Sequence, residues 1–239
     1  MKKSLVKKNR MKDLKDLEKI LDIEFKDISL LERATTHRSY LNENSEENLK
    51  NNERLEFLGD AVLELIVSEY LFNQYPKREE GELTSFRAAT VRTTTLAETS
   101  RELGFGEFLK MSKGEEESGG KDKDYLLANL FEAILGAIYE DKGYDICKKY
   151  LYRVLIPKID NIVENRLDID PKTKLQEVTQ SLYKETPVYD VIKEKGPDHD
   201  KIFTVKAKIS SKDLGVGEGS SKQKAEEEAA EKSLKMLEY

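Results

Sequence analysis

A single cysteine, Cys147, is all that the 239 residues contain, so an intramolecular disulfide is excluded and a reducing compartment is the expected setting. No apolar run approaches the roughly 18 residues that a membrane span requires. The basic start, MKKSLVKKNRMKDLKDLEKI, lacks the apolar stretch of a secretory signal, and a cytoplasmic location is the expectation. Internal repeats and low-complexity tracts are missing too. So is a surplus of positive charge: the net charge is -6, which argues at first against a polyanionic partner. The deficit is uneven, however. Residues 171–239 hold 13 Lys against 13 acidic residues, whereas the first 170 hold 28 basic against 34 acidic. A neutral segment can still carry a basic stripe.

What is present suffices for a soluble globular protein. At 38% hydrophobic and 37% charged, the chain can bury the core of one large domain or two ordinary ones under a highly charged surface. From residue 13 to about 170 it reads as helices. LKDLEKIL, SLLERATTH, NERLEFLGDAVLELI, ELTSFRAATVRTTTLAETSREL, DYLLANLFEAILGAIYEDKG and DICKKYLYRVLIPKIDNIV all repeat apolar residues at three-four spacing. NENSEENLKN, YPKREEG and GFGEFLKMSKGEEESGGKDK carry the turn residues of connectors. NRLDIDPK then reads as a linker. Beyond it come a helix (KTKLQEVTQSLYK), three strands (PVYDVIKEK, IFTVKAKIS and DLGVGEG) and a final helix (SSKQKAEEEAAEKSLKML), an α-β-β-β-α order. The expected organisation is an all-α domain over 12–165, a linker at 166–170, and a small α+β domain over 171–239.

The chemistry concentrates in NERLEFLGDAVLELI at 52–66. Glu56 and Asp60, four apart, share a helix face about 5 to 6 Å from each other, and Glu53 lies one turn earlier. Leu55, Leu58, Val62, Leu65 and Ile66 are expected to form the apolar face. Like charges at this spacing cost a helix roughly 0.2 to 0.5 kcal/mol per pair and an interior Gly59 about 1 kcal/mol. A divalent cation would give the carboxylates a purpose, and Mg²⁺ is the natural choice because it binds through one or two carboxylates with water and phosphate oxygens. On a second helix Asn129 and Glu132, three apart, offer a facing set. Together the two helices would suit one or two Mg²⁺ ions acting on a phosphoryl group. Gly59 would then let the second helix approach beside the ligands. Acidic residues on a helix also make an ordinary solvated face, and spacing alone leaves both readings open.

The last helix opens GEGSSKQKAEEEAA, with Lys222 and Lys224 in its first turns. A helix N-terminus favours phosphate through its free N–H groups and dipole, and lysines there oppose the dipole unless a polyanion offsets them.

Taken together, these stretches resemble bacterial ribonuclease III. NERLEFLGDAVL matches the family's signature almost letter for letter, and THRSYLNE at 36–43, EGELTSFRAATV at 80–91 and LANLFEAILGAIYED at 127–141 match further blocks in the expected order. The α-β-β-β-α tail with GSSKQKAEEEAA is similar to the double-stranded RNA-binding domain that follows in these enzymes. The resemblance covers roughly residues 12–238. It implies Mg²⁺-dependent hydrolysis of phosphodiester bonds in double-stranded RNA, with Mn²⁺ as a substitute ion and no small-molecule cofactor. The products would carry 5′-phosphate and 3′-hydroxyl ends, as in the processing of rRNA precursors and structured mRNA. By the same resemblance Glu56, Asp60 and Glu132 are catalytic metal ligands with Asn129 beside them, and Glu53 and Glu80 serve the cleft and RNA positioning. The family's RNA contacts map to Thr173, Gln176 and Glu177, to Pro197 and His199, and to Lys222, Gln223 and Lys224. A homodimer is implied, its signature helices paired across a two-fold axis.

Two positions depart from the family pattern. Asn129 stands where Asp is usual, which keeps an oxygen ligand but removes a charge. Gln223 stands where a second basic residue is common. The first departure motivates an alternative: a catalytically weakened, dimeric double-stranded RNA-binding protein.

Overall fold

The computed structural model describes residues 13–44, 49–197, 201–210 and 212–239. The basic leader at 1–12, part of the NENSEENLKN connector, and His199 lie outside the described residues. The chain divides into two compact units, the first ending at Asn165 and the second beginning at Arg166.

The first unit is helical: α1 (Leu14–Leu21), α2 (Ile28–Ala34), α3 (Arg38–Glu43), α4 (Glu53–Gln74), α5 (Glu80–Val91), α6 (Thr93–Glu102), α7 (Lys113–Glu117), α8 (Asp124–Lys142), α9 (Tyr144–Val154) and α10 (Ile156–Glu164). Side chains of Asp13 and Asp27 cap α1 and α2 by accepting from Lys15 N–H and Ser29 N–H. α8 is the central element. Leu126, Leu127, Ala128, Leu130, Phe131 and every residue from 133 to 138 are buried, the pattern of a helix covered on nearly all sides. α2, α4, α6 and α9 pack around it.

Two stretches expected as continuous helices are broken. ELTSFRAATVRTTTLAETSREL turns at Arg92, whose ψ of 151° is extended. The β-branched run around it is stiff, and Thr95 turns its hydroxyl back onto the Ala89 carbonyl at 2.9 Å, so side chains there compete for the helix's own hydrogen bonds. DICKKYLYRVLIPKIDNIV breaks at Leu155, because Pro157 lacks an N–H for the preceding turn and its ring fits only a new helix start. The connector at 104–123 is also more structured than its turn residues suggest. It contains 3₁₀ turns at Phe105–Phe108 and Gly120–Asp122 as well as α7, and Phe105 and Phe108 are buried in the core.

The second unit follows the expected α-β-β-β-α order: α11 (Pro171–Tyr183), β1 (Val188–Lys195), β2 (Ile202–Ile209), β3 (Lys212–Gly219) and α12 (Lys222–Met236). The sheet is antiparallel in the order β1-β2-β3, with register shifts between Val191 and Lys193 and between Lys206 and Lys208. One sheet face joins both helices in a core of Leu175, Val178, Ala207, Ile209, Leu214, Ala229, Ala230 and Leu234. Gly217 lets α12 lie directly on β3, since a Cβ there would come within 2.3 Å of the Ala225 carbonyl oxygen. Across the opposite sheet face run the pairs Asp190–Lys208 at 2.5 Å and Lys206–Asp213 at 2.7 Å.

Candidate active site and nucleic-acid interface

The crossing of α4 and α8 is set by glycine. A Cβ on Gly59 would stand 1.8 Å from the Glu132 carbonyl oxygen, and one on Gly136 would stand 2.1 Å from the Leu55 carbonyl oxygen. The two backbones therefore touch at the residues that flank the carboxylates. Glu56 and Asp60 sit three before and one after Gly59, while Glu132 is itself the contact on α8.

Glu132 and Glu56 are half-buried, whereas Asp60 is exposed. Burial pushes the Glu132 carboxyl up to about 8, helped by the charges of Asp60 and Glu56. Glu56 is also raised, first by burial and then by Glu53 and Asp60. The three carboxyls thus feel one another across the two helices. Among the described residues no hydrogen bond or ion pair engages any of them, and no three His, Cys, Asp or Glu side chains lie close enough together to hold a metal ion. Asn129 is half-buried one turn before Glu132 on α8.

Glu53 is engaged differently. It is exposed, pairs with Arg38 at 3.2 Å and accepts from Asn51 Nδ2 at 3.0 Å. Glu80 stands apart from the trio: it opens α5, accepts from Thr84 Oγ1 at 3.0 Å, and is not among the charges acting on Glu56 or Glu132.

One expectation for α4 is corrected. Leu65 is 57% exposed rather than part of the core, and Phe57 at 80% and Phe72 at 72% are more exposed still. With Ala61 they form a second apolar stripe down the outside of α4, at spacings of four, four and seven residues. The period of the sequence shows apolar residues but not which of two stripes meets the chain's own core.

In the second unit, the N-terminal ends of α11 and α12 meet at an open groove of about 390 Å³ lined by Asp170, Lys172, Thr173, Gln176, Pro187, Tyr189, Gln223 and Glu227. Three of the expected RNA-contact residues, Thr173, Gln176 and Gln223, are thereby brought together. Glu177, Pro197, Lys222 and Lys224 are exposed, and none of the four lines this groove. Asp170 caps α11 by accepting from Lys172 N–H and Thr173 N–H, and Ser221 caps α12 by accepting from Lys224 N–H. The acidic run at 226–228 turns back on the domain. Glu226 pairs with Lys172 at 2.5 Å, Glu227 accepts from Gln223 at 2.9 Å, and Glu228 pairs with Lys232 at 3.1 Å.

Residues 27–159 match a family profile described as Ribonuclease-III-like, and 171–237 match one described as double-stranded RNA binding motif. The chain belongs to the ribonuclease III family. Similar proteins include Ribonuclease 3 of Streptococcus gordonii, 48% identical over 225 residues that cover 92% of this chain and 97% of that protein. Ribonuclease 3 of Lactococcus lactis is 47% identical over 211 residues, 88% of this chain and 91% of its own. Among solved structures, the nuclease domain of ribonuclease III from Campylobacter jejuni matches with a TM-score of 0.56 and 43% identity. That match covers 61% of this chain and 97% of that one. The chain is an endoribonuclease of double-stranded RNA built as a helical ribonuclease III domain followed by a double-stranded RNA-binding domain. The alternative of a decayed nuclease kept as a binding scaffold is not favoured by these relatives. Among the described residues no helix is long and apolar enough to cross a membrane.

Proposed function

We propose that Glu56, Asp60, Glu132 and Asn129 form the Mg²⁺ centre at which this ribonuclease cuts double-stranded RNA, leaving 5′-phosphate and 3′-hydroxyl ends during the maturation of structured RNAs in the cytoplasm. The observation that carries this reading is the glycine-set crossing of α4 and α8, which places the half-buried Glu132 within reach of the charges of Glu56 and Asp60 with no cationic partner among the described residues. Three carboxyls gathered at a helix crossing without a counter-charge are a poor structural device and a good hard-oxygen donor set. The donors are all oxygen, which suits Mg²⁺ and admits Mn²⁺. When bound, such an ion polarises the phosphoryl group and lowers the pKa of an attacking water. The chain's own part is to hold the four oxygen-bearing side chains on two helices whose separation the glycine contact fixes. Glu53, held by Arg38 and Asn51, and Glu80, apart from the trio at the start of α5, are assigned to positioning the RNA. In this reading the nuclease domain spans 12–165, the linker 166–170 and the binding domain 171–239.

Asn129 contributes an oxygen without a charge. Ligand charge tunes divalent-ion affinity, so Asn129→Asp is expected to lower the Mg²⁺ concentration for half-maximal cleavage by roughly tenfold, with a smaller change in the maximal rate. Cleavage of a long RNA duplex, titrated with Mg²⁺ in both proteins, checks this. A natural chain that leaves the duplex intact under excess Mg²⁺ overturns the enzymatic reading, and equal half-maximal concentrations would show that the Asn costs nothing.

A homodimer is supported by the outer stripe of α4. Phe57, Ala61, Leu65 and Phe72 are apolar and largely exposed on one helix face, the composition of an interface core rather than of a solvated surface. The Campylobacter jejuni nuclease domain is itself described as having a region involved in dimer formation. Two-fold pairing of α4 gives two sites for the two antiparallel strands of a duplex. Placing Asp at Phe72 removes apolar burial from each half and leaves a desolvated charge. Phe72→Asp should therefore weaken dimerisation by about a hundredfold or more. Sedimentation at micromolar protein reads this directly, and an unchanged dimer would remove the stripe from the interface.

The second domain is proposed to read A-form shape through Thr173, Gln176 and Glu177 on α11, Pro197 and His199 in the β1–β2 loop, and Lys222, Gln223 and Lys224 on α12. Contacts to 2′-hydroxyls in successive minor grooves and to the phosphates between them make RNA preferred over DNA.

A further inference from the structure

Glu194, near the end of β1, holds two lysines from different segments with its two oxygens. Its Oε2 lies 3.7 Å from Lys201 Nζ, just before β2, and its Oε1 lies 3.6 Å from Lys222 Nζ, at the first residue of α12. Glu194 faces Phe203 across the β1–β2 ladder, and Lys222 Nζ also sits 5.6 Å from the centre of that ring. Both ion pairs exceed hydrogen-bond length and all three side chains are between 31% and 59% exposed, so the pairs are loosely held and open to exchange. Lys222 opposes the dipole of α12, and Glu194 offsets that charge while no polyanion is present. Lys224, two residues further on, makes no ion pair among the described residues.

A carboxylate has the charge and the paired oxygens of a phosphate diester's non-bridging edge. We propose that Glu194 is an internal phosphate mimic, holding Lys201 and Lys222 in the RNA-free domain and releasing both to the backbone of a bound duplex, so that its charge sets the domain's affinity for RNA. This rests on the second domain being the duplex-binding face, and it adds Lys201 to the phosphate contacts. It also accounts for a neutral RNA-binding domain: part of its acidity is spent holding lysines ready rather than repelling the ligand at large.

The test is binding of the full chain to a short RNA duplex in EDTA, where cleavage is silent, at about 50 and 200 mM salt. Glu194→Gln should bind about threefold tighter at low salt, the scale of exposed ion pairs. It should also steepen the fall of log K with log salt by up to about one, the single charge that Glu194 carries. Asp190→Asn removes the same charge and frees Lys208 on the opposite sheet face, and should change neither quantity. In a Lys201→Gln, Lys222→Gln background the gain from Glu194→Gln should vanish. Unchanged or weaker binding by Glu194→Gln overturns the proposal, as does an equal gain from Asp190→Asn or a gain that persists without the lysines. Failure of the natural chain to bind duplex RNA at either salt instead overturns the assignment of the binding face.

Discussion

Glu132→Gln is expected to slow cleavage of duplex RNA by roughly a thousandfold, the scale on which removal of one preorganised charge-stabilising group slows an enzyme, while binding of duplex RNA in EDTA is unchanged. The same substitution should make the metal-free protein more stable in alkali. Burial and the charges of Asp60 and Glu56 hold the Glu132 carboxyl at about 8 in the folded chain, against an ordinary value of 4.5. Between those values the folded state keeps a proton that the unfolded state has released. Stability of the metal-free protein therefore falls as pH rises from 4.5 through about 8, because the group's favourable contribution is complete only below its unfolded value. Gln mimics the protonated acid and does not ionise. Melting temperatures in EDTA should then coincide for the two proteins near pH 4 and diverge in favour of the variant above pH 8. A variant that cleaves normally removes Glu132 from the active site. One that is inactive yet melts identically at every pH would show that the ionised carboxyl is not strained by its surroundings.

The parts of this site were legible in the sequence to different degrees. Glu56 and Asp60 lie on one face because helical spacing alone puts residues four apart together. That Glu132 meets them depends on a long-range crossing, and the deciding pair, Gly59 and Gly136, is 77 positions apart in the chain. Only Gly59 stood out as a glycine without local purpose; Gly136 is lost among the small residues of LGAIYED. The helical character of the first unit and the α-β-β-β-α tail followed from periodicity. The breaks at Arg92 and Leu155 did not, since apolar spacing runs on through both while Thr95 and Pro157 withdraw the backbone hydrogen bonds beneath it. Leu65 is exposed for a related reason: α4 is apolar on two sides, and periodicity does not say which side meets the chain's own core. In the tail, equal numbers of lysines and acids were countable, but the pairing of Glu194 with Lys201 and Lys222 joins three segments that only the folded sheet brings together.

Gly59→Ala should lower the melting temperature by about 4 to 10 °C, and it should reduce cleavage in the protein that remains folded. Alanine is the better helix former by up to about 1 kcal/mol, so local propensity favours the substitution. Sterics oppose it: the new methyl would stand 1.8 Å from the Glu132 carbonyl oxygen, 2.7 Å from its carbonyl carbon and 2.9 Å from Gly136 N. All three atoms belong to backbone, so no rotamer change relieves the contact and the helices must separate. Overpacking of this kind costs roughly 1 to 3 kcal/mol even where side chains can yield, and more where they cannot, so the steric cost wins. Gly136→Ala, with its methyl 2.1 Å from the Leu55 carbonyl oxygen, should behave alike, whereas Gly81→Ala in α5, which meets nothing within 4 Å, should leave cleavage intact and melting unchanged or slightly raised. Separation of α4 from α8 carries Glu132 away from Glu56 and Asp60, so stability and activity should fall together. A Gly59→Ala protein that loses stability but keeps full activity when folded would mean that the carboxylates reach their places by side-chain freedom, and that the crossing distance is a matter of packing alone.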